Sequence, residues 1–210
     1  MQLFITGTGT NIGKTLICSW LLAHTNYSYF KPIQTGNTGG TDSETIASLP
    51  KAKIYPEIYS FKLPVSPHLA ALEENSYIDL AKITLPNNSD LIIEGAGGLL
   101  VPINDKYFII DLIKHLNVPV ILVASSELGT INHTLLSIAA LRDRNIDILG
   151  VILSGAINPE NCEAIKYYGK VEILMQFPLL LKPNYNALKN IPLPKQISDI
   201  LKQGNLYESD

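Results

Sequence analysis

The chain has 210 residues and a formal net charge of −3. This length suits one α/β domain with a single sizeable core, and the slightly acidic balance argues against a general nucleic-acid or anionic-membrane surface. Two cysteines, Cys18 and Cys162, are too few for a disulfide framework and have no metal-ligand spacing. We see no signal-peptide pattern and no apolar run long enough to span a bilayer, so we expect a cytoplasmic protein.

Short apolar runs alternate with longer segments of helical spacing along the chain. The runs predict strands at residues 2–6, 27–30, 90–94, 118–124, 146–153 and 171–177, and the spacing predicts helices at 14–24, 66–75, 108–117 and 131–144. Continuous rather than alternating apolar runs are typical of parallel strands covered on both faces. We therefore predict one doubly wound α/β domain over residues 1–210 with a mostly parallel sheet. Residues 179–210 are expected to be irregular apart from a short helix near 195–202.

The first strand leads into a glycine-rich turn, FITGTGTNIGKT, at residues 4–15. Its end resembles a phosphate-binding loop, although five residues rather than the usual four separate Gly7 from Gly13. Glycines allow backbone N–H groups to turn towards a phosphate, and the following helix N-terminus attracts anions. Lys14 can reach the outer phosphates and Thr15 can offer its hydroxyl to Mg²⁺. The strand–turn–helix context predicts a P-loop NTPase-like fold.

The second strand is followed at once by Lys31 in the sequence KPIQTG, which also contains Thr35. Ligands of doubly wound sheets bind at the carboxyl ends of the strands, so Lys31 could stabilise charge on a transferring phosphoryl group. The alternative is a solvated lysine at a strand end, and in either case we expect Lys31 to lie outside the core.

Acidic residues occur at two further places. Asp42 and Glu44 lie at the predicted start of a helix, where they could either cap that helix or reach a metal. Glu94 ends a buried strand and is followed by a glycine-rich turn in EGAGGLLVP. A carboxylate there needs a cation, which a bound Mg²⁺ or a neighbouring lysine could supply.

A second helix start follows the strand predicted at residues 118–124, in the sequence LGTINH at 128–133. Its N–H groups form a candidate anion site. His133 has no visible catalytic partner, so we expect it to be structural.

Six motifs occur in the same order as in one known family. TGTGTNIGKT, KPIQTG, DSET, SPHLAA, EGAGGLLVPI and ELGTINH together resemble the motifs of dethiobiotin synthetases, over residues 3–153. The resemblance implies a homodimeric P-loop enzyme of biotin biosynthesis that uses ATP, Mg²⁺, CO₂ or bicarbonate, and 7,8-diaminononanoate. It also implies an N-carbamate and a carbamic–phosphoric anhydride as intermediates.

The resemblance assigns roles to matched positions. Lys14 and Lys31 would be catalytic, Lys14 at the β- and γ-phosphates and Lys31 at the carbamate and γ-phosphate. Nucleotide-binding positions would be Asn11, Ile12, Gly13, Lys14, Thr15, Leu16, Glu94, Gly95, Ala96, Gly97, Ser154 and Gly155. Metal ligands would be Thr15, Glu94 and either Asp42 or Glu44, a choice that the sequence leaves open. Positions for the diamine substrate would be Thr10, Lys31, Thr35, Gly97 and Gly98, with Gly129, Thr130, Ile131 and Asn132 supplied by a partner subunit.

The chain departs from the family pattern at two places. Gly9 and Asn11 are uncharged where the family's loop commonly carries acids, which makes the substrate pocket less negative. Ser154 and Gly155 stand where family members often have an Asn-Asp pair that reads adenine, so we expect weak discrimination between nucleotide bases.

Two other classes of phosphate-loop protein were considered. A partitioning or regulatory ATPase of the MinD/ParA type would have a second lysine at Gly9, which is absent. An amidotransferase-type synthetase would need an added glutaminase domain, for which 210 residues leave no room.

Overall fold

The computed structural model describes residues 1–203 and contains nine strands and eight α-helices within that range. The strands are β1 (Gln2–Gly7), β2 (Ser28–Phe30), β3 (Ile33–Thr35), β4 (Lys53–Tyr55), β5 (Tyr59–Phe61), β6 (Leu91–Glu94), β7 (Val120–Ser125), β8 (Ile148–Gly155) and β9 (Ile173–Pro178). The helices are α1 (Lys14–His24), α2 (Asp42–Ala47), α3 (Pro67–Glu73), α4 (Ile109–Leu116), α5 (Thr130–Asp143), α6 (Pro159–Gly169), α7 (Tyr185–Lys189) and α8 (Lys195–Gln203).

Seven strands form one parallel sheet in the order β4-β2-β6-β1-β7-β8-β9. β1 is central, and the chain turns from it towards β2 on one side and later towards β7 on the other. In such sheets the crevice for ligands opens at the carboxyl ends of the strands, where the order reverses. The predicted doubly wound parallel sheet is confirmed, and it places the loop after β1 at this reversal.

The apolar runs are buried on both faces of the sheet. Within β1, Phe4 packs into the apolar core on one face, whereas Leu3 and Ile5 pack into the core on the other face. All three side chains are fully buried. This double burial explains why the strands appear as continuous apolar stretches in the sequence.

Several elements are absent from the sequence-based expectation. β3 and β5 form a separate two-stranded parallel sheet, and β4 extends the main sheet at one edge. Each has only three residues, too few to show a period. α6 was also missed, because only Cys162, Ile165 and Gly169 are buried along its eleven residues. At α3, Ser66 occupies the cap position before the helix but makes no capping hydrogen bond through its side chain.

The segment from Leu179 is more ordered than expected, because it contains α7 as well as α8. It packs on α1 and the start of β2. The Trp20 indole N–H donates to the carbonyl of Ile191 at 2.8 Å, and the Tyr27 hydroxyl donates to the carbonyl of Leu201 at 2.8 Å. The C-terminal segment therefore packs against α1.

None of the helices in residues 1–203 has the length and apolar character needed to cross a membrane.

Candidate active site

The loop between β1 and α1 has the backbone of a phosphate-binding turn. Gly13, at the cap position of α1, has a φ of 96°, and a Cβ there would lie 2.6 Å from the Ser154 hydroxyl. Both the left-handed backbone and the close approach of β8 therefore require glycine at this position. The six residues of the loop carry no acidic side chain, so the start of α1 presents its N–H groups without a competing charge.

Lys14 is folded back along this loop and is largely buried. Its Nζ donates to the carbonyl of Gly9 at 2.8 Å, and its exposed fraction is 7%. Burial lowers the pKa of Lys14 to about 8, against an opposing effect of Glu94. An ammonium held in this way is ready to interact with an anion in the cleft, because an anion would restore the lost solvation.

Four side chains from four parts of the chain meet at the carboxyl ends of β2 and β6. Thr15 Oγ1 lies 2.8 Å from Glu94 Oε1 and 3.0 Å from Asp42 Oδ1, so its single proton can bond to either carboxylate. Lys31 Nζ lies 2.6 Å from Asp42 Oδ2 and 3.3 Å from Glu94 Oε1. β2 and β6 are adjacent parallel strands, and this adjacency places Lys31 beside Glu94.

The expectation that Lys31 lies outside the core is wrong. Lys31 is 4% exposed and Glu94 is 1% exposed. Burial by itself would lower the pKa of Lys31, but the Glu94 and Asp42 carboxylates outweigh it and raise that pKa above its ordinary value. Burial would likewise raise the pKa of Asp42, but the Lys31 ammonium and the hydrogen bond from Thr15 lower it instead. The cluster is thus held charged by its own members.

Asp42 and Glu44 have different positions. Glu44 forms a capping box at the start of α2: its Oε2 accepts from the Thr41 N–H at 2.9 Å, and its own N–H donates to the Thr41 hydroxyl at 3.0 Å. Asp42 instead directs its carboxylate to Thr15 and Lys31. Of the two acids that the sequence could not separate, only Asp42 reaches the cluster.

An open cleft of about 730 Å³ lies above the cluster. Most of the predicted site residues line it: Thr10, Asn11, Gly13, Lys14, Thr15, Leu16, Lys31, Thr35, Asp42, Glu94, Ala96 and Gly97. The lining also includes residues 64–67 and Val101, together with Gly36 and Gly40, none of which was predicted as a site residue.

The other predicted site residues lie outside this lining. Ile12, Gly95 and Gly98 belong to the turns behind it, and a Cβ at Gly98 would lie 3.4 Å from the Gly7 carbonyl oxygen. Ser154 packs beneath Gly13, and Gly155 follows it at the end of β8. Glu44, in the cap of α2, is also outside the lining, and the remaining four are at the start of α5: Gly129, Thr130, Ile131 and Asn132.

Gln34 and Tyr29 contact the cluster and were missed. The Gln34 amide oxygen accepts from the Asp42 N–H at 3.3 Å, and its amide nitrogen donates to the Thr35 carbonyl at 2.7 Å. The Tyr29 hydroxyl donates to Glu94 Oε2 at 2.8 Å. Gln34 lies within the KPIQTG motif, and Tyr29 lies two residues before Lys31. Closeness in the sequence to Lys31 was the feature that could have indicated these two residues.

The donor set of the cluster suits Mg²⁺. Two carboxylates and a hydroxyl converge beside a phosphate-binding turn, and Mg²⁺ is usually held by one or two carboxylates together with substrate phosphates. Residues 1–203 contain no group of three or more His, Cys, Asp or Glu side chains arranged to hold a metal ion. These residues therefore fit a metal that arrives with a nucleotide.

Solved structures confirm the fold. A ParA family ATPase from Chlorobium tepidum superposes with a TM-score of 0.55 at 14% identity, with 98% of each chain covered. Chloroplast FtsY from Physcomitrella patens gives 0.52 at 15% identity, with 95% of this chain and 64% of that chain covered. At such low identity these likenesses establish the P-loop type of fold and nothing about activity.

Sequence comparisons are more specific. A family model described as an AAA domain matches residues 1–184. The ATP-dependent dethiobiotin synthetase of Lawsonia intracellularis is 53% identical over 200 residues, covering 95% of this chain and 98% of that protein. The ATP-dependent dethiobiotin synthetase of Paramagnetospirillum magneticum is 44% identical, covering 91% and 94%. The chain therefore belongs to the ATP-dependent dethiobiotin synthetase family.

Proposed function

We propose that the protein is an ATP- and Mg²⁺-dependent cyclo-ligase that forms dethiobiotin from 7,8-diaminononanoate and CO₂ in the cytoplasm, as a step of biotin biosynthesis. The observation that carries this proposal is the meeting of Lys31 with Asp42, Glu94 and Thr15 beside the phosphate-binding turn. Family membership supplies the choice of reaction.

The nucleotide phosphates would lie on the turn formed by Asn11, Ile12 and Gly13 and on the first residues of α1. The N–H groups there and the Lys14 ammonium offer positive charge without an acidic neighbour in the loop. Glu94, Gly95, Ala96 and Gly97 would border the nucleotide from the adjacent strand end. Ser154 and Gly155 would border the base, and neither offers a side-chain amide that could read adenine.

Thr15, Asp42 and Glu94 would hold Mg²⁺, whereas Glu44 is engaged in the cap of α2. When bound, the metal supplies positive charge to the phosphate oxygens of ATP.

Lys31 would act on the group being transferred. One substrate amine takes up CO₂ and loses a proton, which gives a carbamate. A carbamate oxygen attacks the γ-phosphorus with departure of ADP, and the second amine then attacks the carbamate carbon. This closes the cyclic urea and expels phosphate. The Lys31 ammonium, directed into the cleft, would neutralise charge that develops on the carbamate and phosphoryl oxygens.

The diamine would lie beside Thr10, Thr35, Gly97 and Gly98. Its carboxylate would be held by the start of α5 of a partner subunit, at Gly129, Thr130, Ile131 and Asn132, in a homodimer. Those four residues lie outside the cleft of their own chain, which is the arrangement that a shared site requires.

One assay tests the proposal. Phosphate release is measured with ATP, Mg²⁺, bicarbonate and 7,8-diaminononanoate, and then with the diamine or bicarbonate omitted, while dethiobiotin is followed by mass spectrometry. We expect release only with the complete mixture and one dethiobiotin per phosphate. Hydrolysis of ATP that is indifferent to the diamine would contradict the proposal and favour a partitioning-type switch.

A further inference from the structure

We propose that Tyr29 is a positioning residue, which fixes the rotation of the Glu94 carboxylate so that one of its oxygens faces the metal and nucleotide. This inference rests on the metal site of the proposed function.

The two oxygens of Glu94 have separate partners. Oε1 lies within hydrogen-bonding distance of Thr15 Oγ1 (2.8 Å) and Lys31 Nζ (3.3 Å), both of which line the cleft. Oε2 accepts a hydrogen bond from the Tyr29 hydroxyl at 2.8 Å. The carboxylate is therefore held from both sides, with its Oε1 side directed at the cleft.

Strand geometry explains why Tyr29 can do this. Tyr29 and Lys31 are two residues apart at the end of β2, so their side chains lie on the same face of the strand. β6 is the adjacent parallel strand, with Tyr29 opposite Ile92 and Phe30 opposite Ile93. The long phenol side chain reaches forward to Glu94 from within the core, whereas Lys31 reaches the same carboxylate from its cleft side.

Tyr29 acts as a donor only. Its side chain is fully buried. Its hydroxyl donates to Oε2, which leaves Oε1, on the cleft side, as the oxygen available to a cation. Hydrogen-bonded partners of metal-ligating carboxylates are known to orient them in this way.

The alternative is that the bond only satisfies a buried carboxylate and contributes to stability. Tyr27 provides a matched control, because its buried hydroxyl also donates one hydrogen bond, to the Leu201 carbonyl at 2.8 Å, but at the opposite end of β2. Tyr29→Phe and Tyr27→Phe each remove one buried hydroxyl and keep the ring.

The test measures ATP affinity by calorimetry for wild type, Tyr29→Phe and Tyr27→Phe, in Mg²⁺ and in EDTA. We expect Tyr29→Phe to lose roughly tenfold in affinity with Mg²⁺, the lower end of the effect that outer partners of metal ligands have. In EDTA its affinity should equal that of wild type, which also shows that the variant is folded. Tyr27→Phe should match wild type under both conditions.

Kinetics provide a second readout. The Mg²⁺ concentration for half-maximal turnover should rise in Tyr29→Phe, and turnover at saturating Mg²⁺ should recover to near the wild-type value. Equal affinity of wild type and Tyr29→Phe in Mg²⁺, or an equal loss in Mg²⁺ and EDTA, would overturn the positioning role. A wild-type ATP affinity that does not respond to Mg²⁺ would instead overturn the metal site itself. The ATP-binding measurements contain no diamine substrate. Their outcome can therefore be told apart from a failure of the protein to form dethiobiotin.

Discussion

Lys31 Nζ lies 2.6 Å from Oδ2 of Asp42, although one residue follows a buried strand and the other begins a helix eleven residues later. The same ammonium is 3.3 Å from Glu94, so two carboxylates depend on one buried cation. Lys31 therefore has a structural role in addition to the catalytic role that we propose for it.

Lys31→Ala is expected to reduce turnover by about 10²–10³-fold, the usual effect of removing one preorganised charge from a reacting group. It should also destabilise the protein in metal-free buffer by about 3 kcal/mol or more, because Glu94 is left as a buried charge without its cation. Turnover assays well below the melting temperature and urea denaturation measure the two effects.

Lys166→Ala is the control for this change, because the Lys166–Glu172 pair is largely exposed. Its loss should cost at most about 1 kcal/mol and leave turnover unchanged. Wild-type turnover in Lys31→Ala would remove that residue from the mechanism.

Lys14 predicts a distinct pH dependence. Its pKa is about 8 in the folded protein and about 10.5 in the unfolded chain, so between these values the unfolded state holds more protons. Stability contributed by this group must rise as pH increases from 8 to 10.5. In Lys14→Met that rise is absent. The free energy of unfolding of the wild type, relative to that of the variant, should therefore increase by at most about 3 kcal/mol between pH 7 and pH 10.5.

Urea denaturation of both proteins across this range checks the prediction, because the titration of all shared groups cancels in the difference. A difference in the free energy of unfolding between wild type and Lys14→Met that does not change with pH would show that the Lys14 ammonium is well solvated.

Asp42→Asn and Glu44→Gln separate the two acids. Asp42→Asn removes a charge from the cluster, so ATP affinity should fall when Mg²⁺ is present and change little in EDTA. Glu44→Gln should preserve Mg²⁺ dependence, since glutamine can replace glutamate in a capping box, and should cost less than about 1 kcal/mol of stability. Titration of ATP with and without Mg²⁺ decides the assignment, and the reverse pattern would return the metal role to Glu44.

Base selectivity is expected to be weak. Ser154 packs beneath Gly13, and Gly155 has no side chain, so neither residue can form the paired hydrogen bonds with which an amide side chain reads adenine. Phosphate release with GTP or CTP should therefore be within about tenfold of that with ATP at equal concentration, since one unmade hydrogen bond is worth roughly 1 kcal/mol. A much larger preference for ATP would show that other residues read the base.

The sequence points to three of the charged side chains of the cleft for a physical reason, although it left Asp42 and Glu44 unseparated and wrongly placed Lys31 outside the core. Lys14, Lys31 and Glu94 are ionisable residues directly after buried strands or within a glycine-rich turn, where each is costly unless it has a partner or a ligand. Strand order then brings them together, because β1, β6 and β2 are neighbours in the sheet.

The uncharged contacts could not be predicted in the same way. Tyr29 looks like any aromatic residue of a strand, and Gln34 lies in a three-residue strand with no visible period. Their roles depend on the atoms that their side chains contact. Those contacts depend on the register of β2 with β6 and on the position of α2. Local sequence patterns do not contain that information.

The C-terminal segment has a consequence for synthesis on the ribosome. α1 ends at residue 24, yet the contacts that Trp20 in α1 and Tyr27 just after it make with Ile191 and Leu201 require residues that are synthesised much later. At ordinary rates of translation the interval between the two is about 10–30 s. During that time Trp20, on the helix that carries the phosphate-binding turn, lacks the carbonyl that accepts its indole N–H in the finished fold.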